Sequence, residues 1–131
     1  MRPSSEKLAR ALADRLGEVL PPPYALGAAG FWIYVYAGGE LIGNDVAAQI
    51  VEDHGDEPLG GLVERVSGSM LSGLQDVVVT HRTTWWPVDG AGGMAMPNTR
   101  ADEHRLHLWF GDRESGAVVT LRPIDLSELV E

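Results

Sequence analysis

The four histidines are the first residues to consider for catalysis or metal binding: His54, His81, His104 and His107. His104 and His107 are three residues apart in a segment that the sequence predicts to be extended. Side chains at that spacing on a strand point to opposite faces, so these two rings cannot bind one metal ion together. The chain contains no HExxH, GxSxG, P-loop or CxxC motif. The histidines therefore do not favour catalysis, and we predict neither a metal nor a cofactor.

Two loops contain residue types that are typical of ligand sites. Residues 52–58 form an acidic loop, but its spacing does not match a calcium-binding loop, so we predict a solvated charged turn. Gly90, Gly92 and Ala95 fit the dinucleotide pattern GxGxxA. That pattern binds a pyrophosphate only between a strand and a helix, and Pro97 ends any helix here. Nucleotide binding is therefore rejected.

A third group of residues points to binding rather than catalysis. If the aliphatic sides of the strands pack under the helices, the opposite side carries aromatic and basic residues. Tyr, Trp and Arg are enriched in the cores of protein interfaces. We predict that this surface binds a protein partner or a second copy of the chain; the alternative is that the loop 88–97 or the terminal helical turn covers it. The candidate interface residues are Trp32, Tyr34, Tyr36, His107, Trp109 and Arg122.

An alternative site lies where a predicted helix meets the glycine-rich loop. A pocket beneath residues 88–97 would make the protein a small-molecule-binding protein or an enzyme. Methionine side chains adapt to irregular apolar contacts, and Trp combines a large apolar ring with one N–H donor. The pocket candidates are His81, Trp85, Trp86 and Met94.

Two amphipathic helices are predicted to position these residues. Leu8, Leu12 and Leu16 recur at four-residue spacing, and the run of three prolines from Pro21 ends this first helix, which we predict over residues 5–20. A second apolar stripe runs from Leu62 to Val78 and His81, and predicts a helix over about 59–80. Its far end, residues 76–86, has strand propensity as well, so a switch to a strand there remains an alternative.

Alternation of apolar and polar residues predicts the strands. Leu106, Leu108 and Phe110 face one way, whereas His107 and Trp109 face the other. Residues 45–51 fit either a strand or one helical turn, with a preference for a strand because Ile and Val are β-branched. The predicted strands are 31–36, 41–51, 105–111 and 117–122.

Composition bounds the classes of function. A chain of 131 residues that is 44% hydrophobic is predicted to form a single domain, 1–131, with a substantial core. The net charge of −9 opposes binding to a phosphate backbone, so we predict no nucleic-acid partner. No apolar run approaches membrane-spanning length, and the N-terminus does not have the pattern of a signal peptide. We therefore predict a cytoplasmic protein without a membrane partner.

The sequence resembles a group of small acidic actinobacterial proteins of unknown function. The likeness rests on Trp86-Pro87 after a helix, on His107 to Asp112, HLWFGD, where the group has a strand of the form LHLWYGD, and on Leu121 to Ile124, LRPI, where a following strand of the group ends near a proline. Phe110 stands where Tyr is usual. The resemblance covers the N-terminal helix and about the last 70 residues. It implies a single α+β domain in bacterial cytoplasm, and it implies no activity, cofactor or catalytic residue.

Together these patterns predict an α+β fold of order α-β-β-β-α-β-β with a short C-terminal helical turn, in which two helices cover one face of an antiparallel sheet. That order resembles secretion-chaperone-like folds, and fold alone does not imply function. The predicted function is a non-catalytic protein-interaction module, such as an adaptor, a chaperone-like protein or an immunity-type protein.

Overall fold

The computed structural model describes residues 3–47, 57–112 and 116–131. Helix α1 spans Ser5–Gly17, and the hydroxyl of Ser4 caps it by accepting a hydrogen bond from the Lys7 amide at 3.2 Å. The predicted first helix is confirmed, although it ends three residues before the predicted residue 20. Leu20 still packs against the core from the turn that follows.

Three strands form the first antiparallel sheet: β1 over Tyr24–Ala29, β2 over Trp32–Ala37 and β3 over Glu40–Ala47, in the order β1-β2-β3. Ile33 and Val35 on β2 are fully buried, which fixes the inner face of this sheet. The strand prediction for residues 45–51 is confirmed as far as residue 47. Residues 48–51 and most of the acidic loop lie outside the described residues.

Helix α2 spans Leu59–Arg82 and ends at Thr83, which has a left-handed φ of 63°. The predicted second helix is therefore confirmed, and it continues two residues past the predicted end. The buried face differs in detail from the predicted stripe. Val77 is half-buried and His81 is exposed, whereas Gln75 is only 1% exposed. In the described part of the chain, no helix is both long and apolar enough to cross a membrane.

The second sheet contains β4 over Pro97–Ala101, β5 over Arg105–Asp112, β6 over Gly116–Thr120 and the short β7 over Ile124–Asp125. Its order is β4-β5-β6, and β7 pairs with the start of β5. A 3-10 helix over Leu126–Leu129 follows and contacts α1.

The two helices and both sheets share one core. Helix α1 packs on β1 and β2, while α2 packs mainly on β4 and β3. Thr99 on β4 fastens its strand to α2 by donating a hydrogen bond to the Glu64 carbonyl at 2.8 Å. The α+β class, the element order and the C-terminal helical turn are confirmed. The strands are divided between two antiparallel sheets, where the sequence analysis placed them in one.

Candidate functional site

The outer side of the first sheet presents an aromatic face, which we define as Phe31, Trp32, Tyr34, Tyr36 and Leu41. Trp32 is 37% exposed, and its ring stacks on Phe31 with centroids 5.7 Å apart. Tyr34 and Tyr36 are half-buried. Leu41, paired with Tyr36 across β2 and β3, is 47% exposed. The face therefore joins aromatic and aliphatic surface at the solvent boundary.

The sequence of β1 explains why the aromatic face is open. In the register with β2, Ala29 lies opposite Trp32, Gly27 opposite Tyr34 and Ala25 opposite Tyr36. Such small residues cannot cover the neighbouring rings. The described helices contact this sheet from the other side, where Ile33 and Val35 alternate with the aromatic residues of β2 and are fully buried.

His107 and Trp109 lie on the second sheet, not beside the aromatic face. Both are half-buried on the outer side of β5, while the intervening Leu108 is buried in the core. The predicted division of β5 into two faces is therefore correct. Register places Arg100 opposite His107 and Thr120 opposite Trp109, and these four side chains line a shallow cleft of about 410 Å³.

A carboxylate holds the His107 ring in place. Asp102 Oδ2 lies 2.9 Å from His107 Nε2, and Asp102 Oδ1 accepts hydrogen bonds from the amides of His104 and Arg105, both at 2.8 Å. The bond from His107, followed by the two amides, holds the pKa of the Asp102 carboxyl well below its usual range. His107 and Asp102 side chains are 33% and 51% exposed. Water therefore reaches the pair.

Removing the Asp102 carboxylate has a predictable pH signature. A carboxyl whose pKa is lower in the folded chain stabilises the fold above its unfolded pKa of about 3.9, and that stabilisation is lost as pH falls toward the folded pKa. We expect Asp102→Asn to be less stable than the wild type at pH 7 and pH 5, and the difference to shrink below about pH 4. Chemical denaturation at pH 7, 5 and 3 measures the difference.

Glu103→Gln is the matched control for this experiment, because Glu103 is the next residue and its side chain is 93% exposed. Its unfolding free energy should follow that of the wild type at each pH. A difference between wild type and Asp102→Asn that stays constant down to pH 3 would contradict the lowered pKa of Asp102.

Arg122 is held by helix α1 instead of facing the aromatic residues. Its guanidinium donates to Glu18 Oε2 at 2.8 Å and to Asp14 Oδ2 at 3.1 Å. The hydrogen bonds from Arg122 lower the pKa of Glu18. Exposed pairs of this kind contribute little to stability, but they orient the side chain. Of the six predicted interface residues, three therefore share the aromatic face, two share the β5 cleft, and Arg122 belongs to neither cluster.

The four pocket candidates make different contacts. His81 Nδ1 lies 2.7 Å from the Tyr24 hydroxyl, which joins the end of α2 to β1. Trp86 packs edge-on against Phe110 with ring centroids 5.3 Å apart, whereas Trp85 is 53% exposed. Met94 is half-buried, and its backbone forms an isolated bridge with Val88.

Gln75 is the residue that sequence reasoning missed beneath this loop. Its side-chain amide donates to the carbonyls of Ala95 at 2.7 Å and Trp86 at 3.1 Å, so it fastens both ends of the loop to α2. Asp89 Oδ1 closes the loop internally by accepting from the amides of Ala91 and Gly93. The sequence offered one signal for this residue. Gln75 is four positions after Leu71 and therefore lies on the same face of the helix as an apolar residue. These contacts lie beneath the loop, where the alternative pocket was predicted.

Within the described ranges, no group of three or more His, Asp or Glu side chains is placed to hold a metal ion. Comparison of the chain with protein-family models, curated proteins and solved structures gives no match. Two surfaces contain the predicted interface residues other than Arg122: the aromatic face and the β5 cleft.

Proposed function

We propose that this protein is a non-catalytic protein-interaction module and that the aromatic face binds its partner. The observation that carries the proposal is the stacked pair of Phe31 and Trp32, each 37% exposed, continuous with Tyr34, Tyr36 and Leu41. Contiguous exposed apolar surface of this kind marks interaction sites in soluble proteins. An adaptor, a chaperone-like protein or an immunity-type protein would each use such a surface.

Energetics favour Trp32 as the anchor of the contact. Binding energy in protein interfaces is concentrated in a few residues, among which Trp and Tyr are enriched. Trp32 still has more than a third of its surface to remove from water, and apolar burial contributes roughly 25 cal/mol per Å². The rigid sheet holds the ring in place before binding, so little conformational entropy is lost when the partner docks.

Replacing Trp32 tests the proposal directly. We expect Trp32→Ala to weaken partner binding by about tenfold or more, which corresponds to about 1.4 kcal/mol. The immobilised full-length chain would be used to capture proteins from a lysate of the source organism. The captured partner would then be purified and its affinity measured for each variant.

Trp85→Ala is the matched control, because Trp85 is more exposed than Trp32 but lies outside the aromatic face. It should retain the partner at wild-type affinity. Equal affinity of Trp32→Ala and wild type would refute the proposal. If Trp85→Ala lost binding and Trp32→Ala retained it, the binding site would lie at Trp85 and the adjoining loop, residues 88–96, and not on the aromatic face.

A further inference from the structure

The free edge of β1 is the second surface with a specific chemistry. β1 pairs only with β2 among the described strands. On its other side the Tyr24 amide donates to the Pro21 carbonyl at 3.0 Å, and the rest of that backbone edge is unpaired within the described part of the chain. Ala29 and Trp32 flank a two-residue turn and form a hydrogen-bonded pair; such pairs alternate along antiparallel strands. The Gly38 amide donates a hydrogen bond to the Pro23 carbonyl at 3.0 Å, which fits the same alternation of hydrogen-bonded and non-hydrogen-bonded pairs. Leu26 and Ala28 therefore direct their N–H and C=O groups away from β2.

This edge borders an open groove of about 960 Å³. Residues 24–28 line one side of the groove, and helix α1 from Lys7 onward, with Glu18 just after it, lines the other side. Thirteen helical residues and six extended residues each span about 20 Å, so the two walls have matching lengths. The groove therefore has space beside β1 for an extended segment of about six residues.

Small side chains keep the groove open at the strand. Ala25, Gly27 and Ala28 project little from β1, and Ala11 and Gly17 lie among the residues of the α1 wall. Charged lining residues are evenly balanced, with Lys7, Arg10 and Arg15 against Asp14, Glu18 and Glu128. Arg15 is 6% exposed and bonds Glu128 at 2.9 Å, which fastens α1 to the C-terminal 3-10 helix beside the groove.

β1 differs from the other described edge strands in lacking protection against pairing. Natural edge strands are usually blunted by charges, prolines, bulges or short length. β3 begins with Glu40 and has two register shifts against β2; β4 begins with Pro97 and contains Arg100. β6 has a register shift and β7 has two residues. β1, with the sequence YALGAA, has no charge or proline and pairs with β2 without a shift.

We infer that the free edge of β1 binds an extended, positively charged segment of another protein, which adds to the sheet as a fourth strand in the groove beside α1. The unpaired backbone groups of Leu26 and Ala28 call for an extended chain, because main-chain hydrogen bonds supply affinity when a strand is added to a sheet edge. The balanced charges that line the groove do not select the charge of the segment, but the net charge of −9 over the whole chain repels a second copy and attracts a basic segment. The inference rests on the proposed protein-binding function and names the kind of segment bound.

Selection from a displayed library of random 12-residue peptides against the full-length chain tests the inference. We expect the selected peptides to be enriched in Lys and Arg over Asp and Glu. Their binding should protect the amides of Leu26 and Ala28 from hydrogen exchange, as measured by NMR on the wild-type chain. Each selected peptide should also be made in two N-methylated forms, one modified at its odd residues and one at its even residues. The form whose methyl groups replace the N–H groups that face β1 should bind at least tenfold more weakly.

Ala28→Pro removes the outward N–H of that residue, and proline is tolerated on edge strands. We expect it to weaken the selected peptides at least tenfold, while Ala28→Ser, which keeps the N–H, binds within twofold of wild type. The inference is overturned if the library yields no binding peptide, or if the selected peptides are not enriched in Lys and Arg. It is also overturned if they do not protect the amides of Leu26 and Ala28. A wild-type dimer in sedimentation that Ala28→Pro converts to a monomer overturns it as well.

The two proposals fail separately. If Trp32→Ala loses the lysate partner while Ala28→Pro keeps it, the aromatic face stands and strand addition is refuted. If the selected peptides protect β1 but Trp32→Ala leaves the lysate partner bound, strand addition stands and the role of the aromatic face is refuted.

Discussion

Gly111→Ala is expected to lower the free energy of unfolding by roughly 3 kcal/mol or more. Gly111 has a φ of +144°, a conformation that residues with a Cβ rarely adopt. An added Cβ would also lie 2.6 Å from the Gly116 carbonyl oxygen and 2.9 Å from the Val118 nitrogen. Both are backbone atoms of β6, so the new methyl group can be accommodated only if β6 moves away from β5. Urea denaturation followed by circular dichroism measures the change.

Gly116→Ala separates the two causes of the loss, which are the positive φ and the overlap of the added Cβ with β6. Gly116 also has a positive φ, +115°, but no non-adjacent atom of the described residues lies within 4 Å of an added Cβ. This variant should therefore show only the conformational cost of about 1–2 kcal/mol. If the two variants were equally stable, backbone overlap between β5 and β6 would not be the cause of the larger loss.

Gln75→Met is expected to lower the free energy of unfolding by about 2 kcal/mol. Methionine has a similar length but cannot donate, so the carbonyls of Trp86 and Ala95 lose their side-chain donor. Each unpaired buried polar group costs about 1–3 kcal/mol. Part of that cost is offset, because Gln75 Oε1 is itself buried without a partner among the described residues and is removed by the substitution. Hydrogen exchange of residues 88–95 should become faster as the loop loosens.

Asn98→Ala is the comparison for this prediction. Asn98 also donates to two carbonyls beside the same loop, those of Gly111 at 2.7 Å and Met96 at 3.3 Å, but it is half-buried. Water can replace its hydrogen bonds, so the loss should stay near 1 kcal/mol or below. An Asn98→Ala loss as large as that of Gln75→Met would show that burial does not set the cost at this loop.

The aromatic face and the free edge of β1 lie on neighbouring strands of one sheet. Ala25 and Gly27 stand beside the rings of β2 and also line the groove next to α1. A strand added to β1 would extend the same sheet, and alternate side chains of that strand would lie on the same side as the aromatic face. The side chains of the added strand on that side could therefore extend over the small residues of β1 and contact Trp32 and its neighbours.

Much of this architecture could be predicted because its signals are local. The spacing of Leu8, Leu12 and Leu16 predicts α1 correctly, since a four-residue repeat acts within a few turns. The alternation along β5 correctly separates Phe110 in the core from Trp109 on the outer side. The exposure of Trp32 beside a strand of small residues also follows from alternation, once the register with β1 is known.

Only the tertiary structure decided which distant segments meet. The division of the strands into two sheets depends on pairing across long separations, and alternation along a strand does not specify its neighbour. Arg122 pairs with α1 more than a hundred residues away, and Gln75 is buried because a loop folds over it. By itself the sequence determined the two helices and the faces of the strands. Long-range packing decided that Trp32 and Trp109 lie on different sheets and that β1 has a free edge beside a groove.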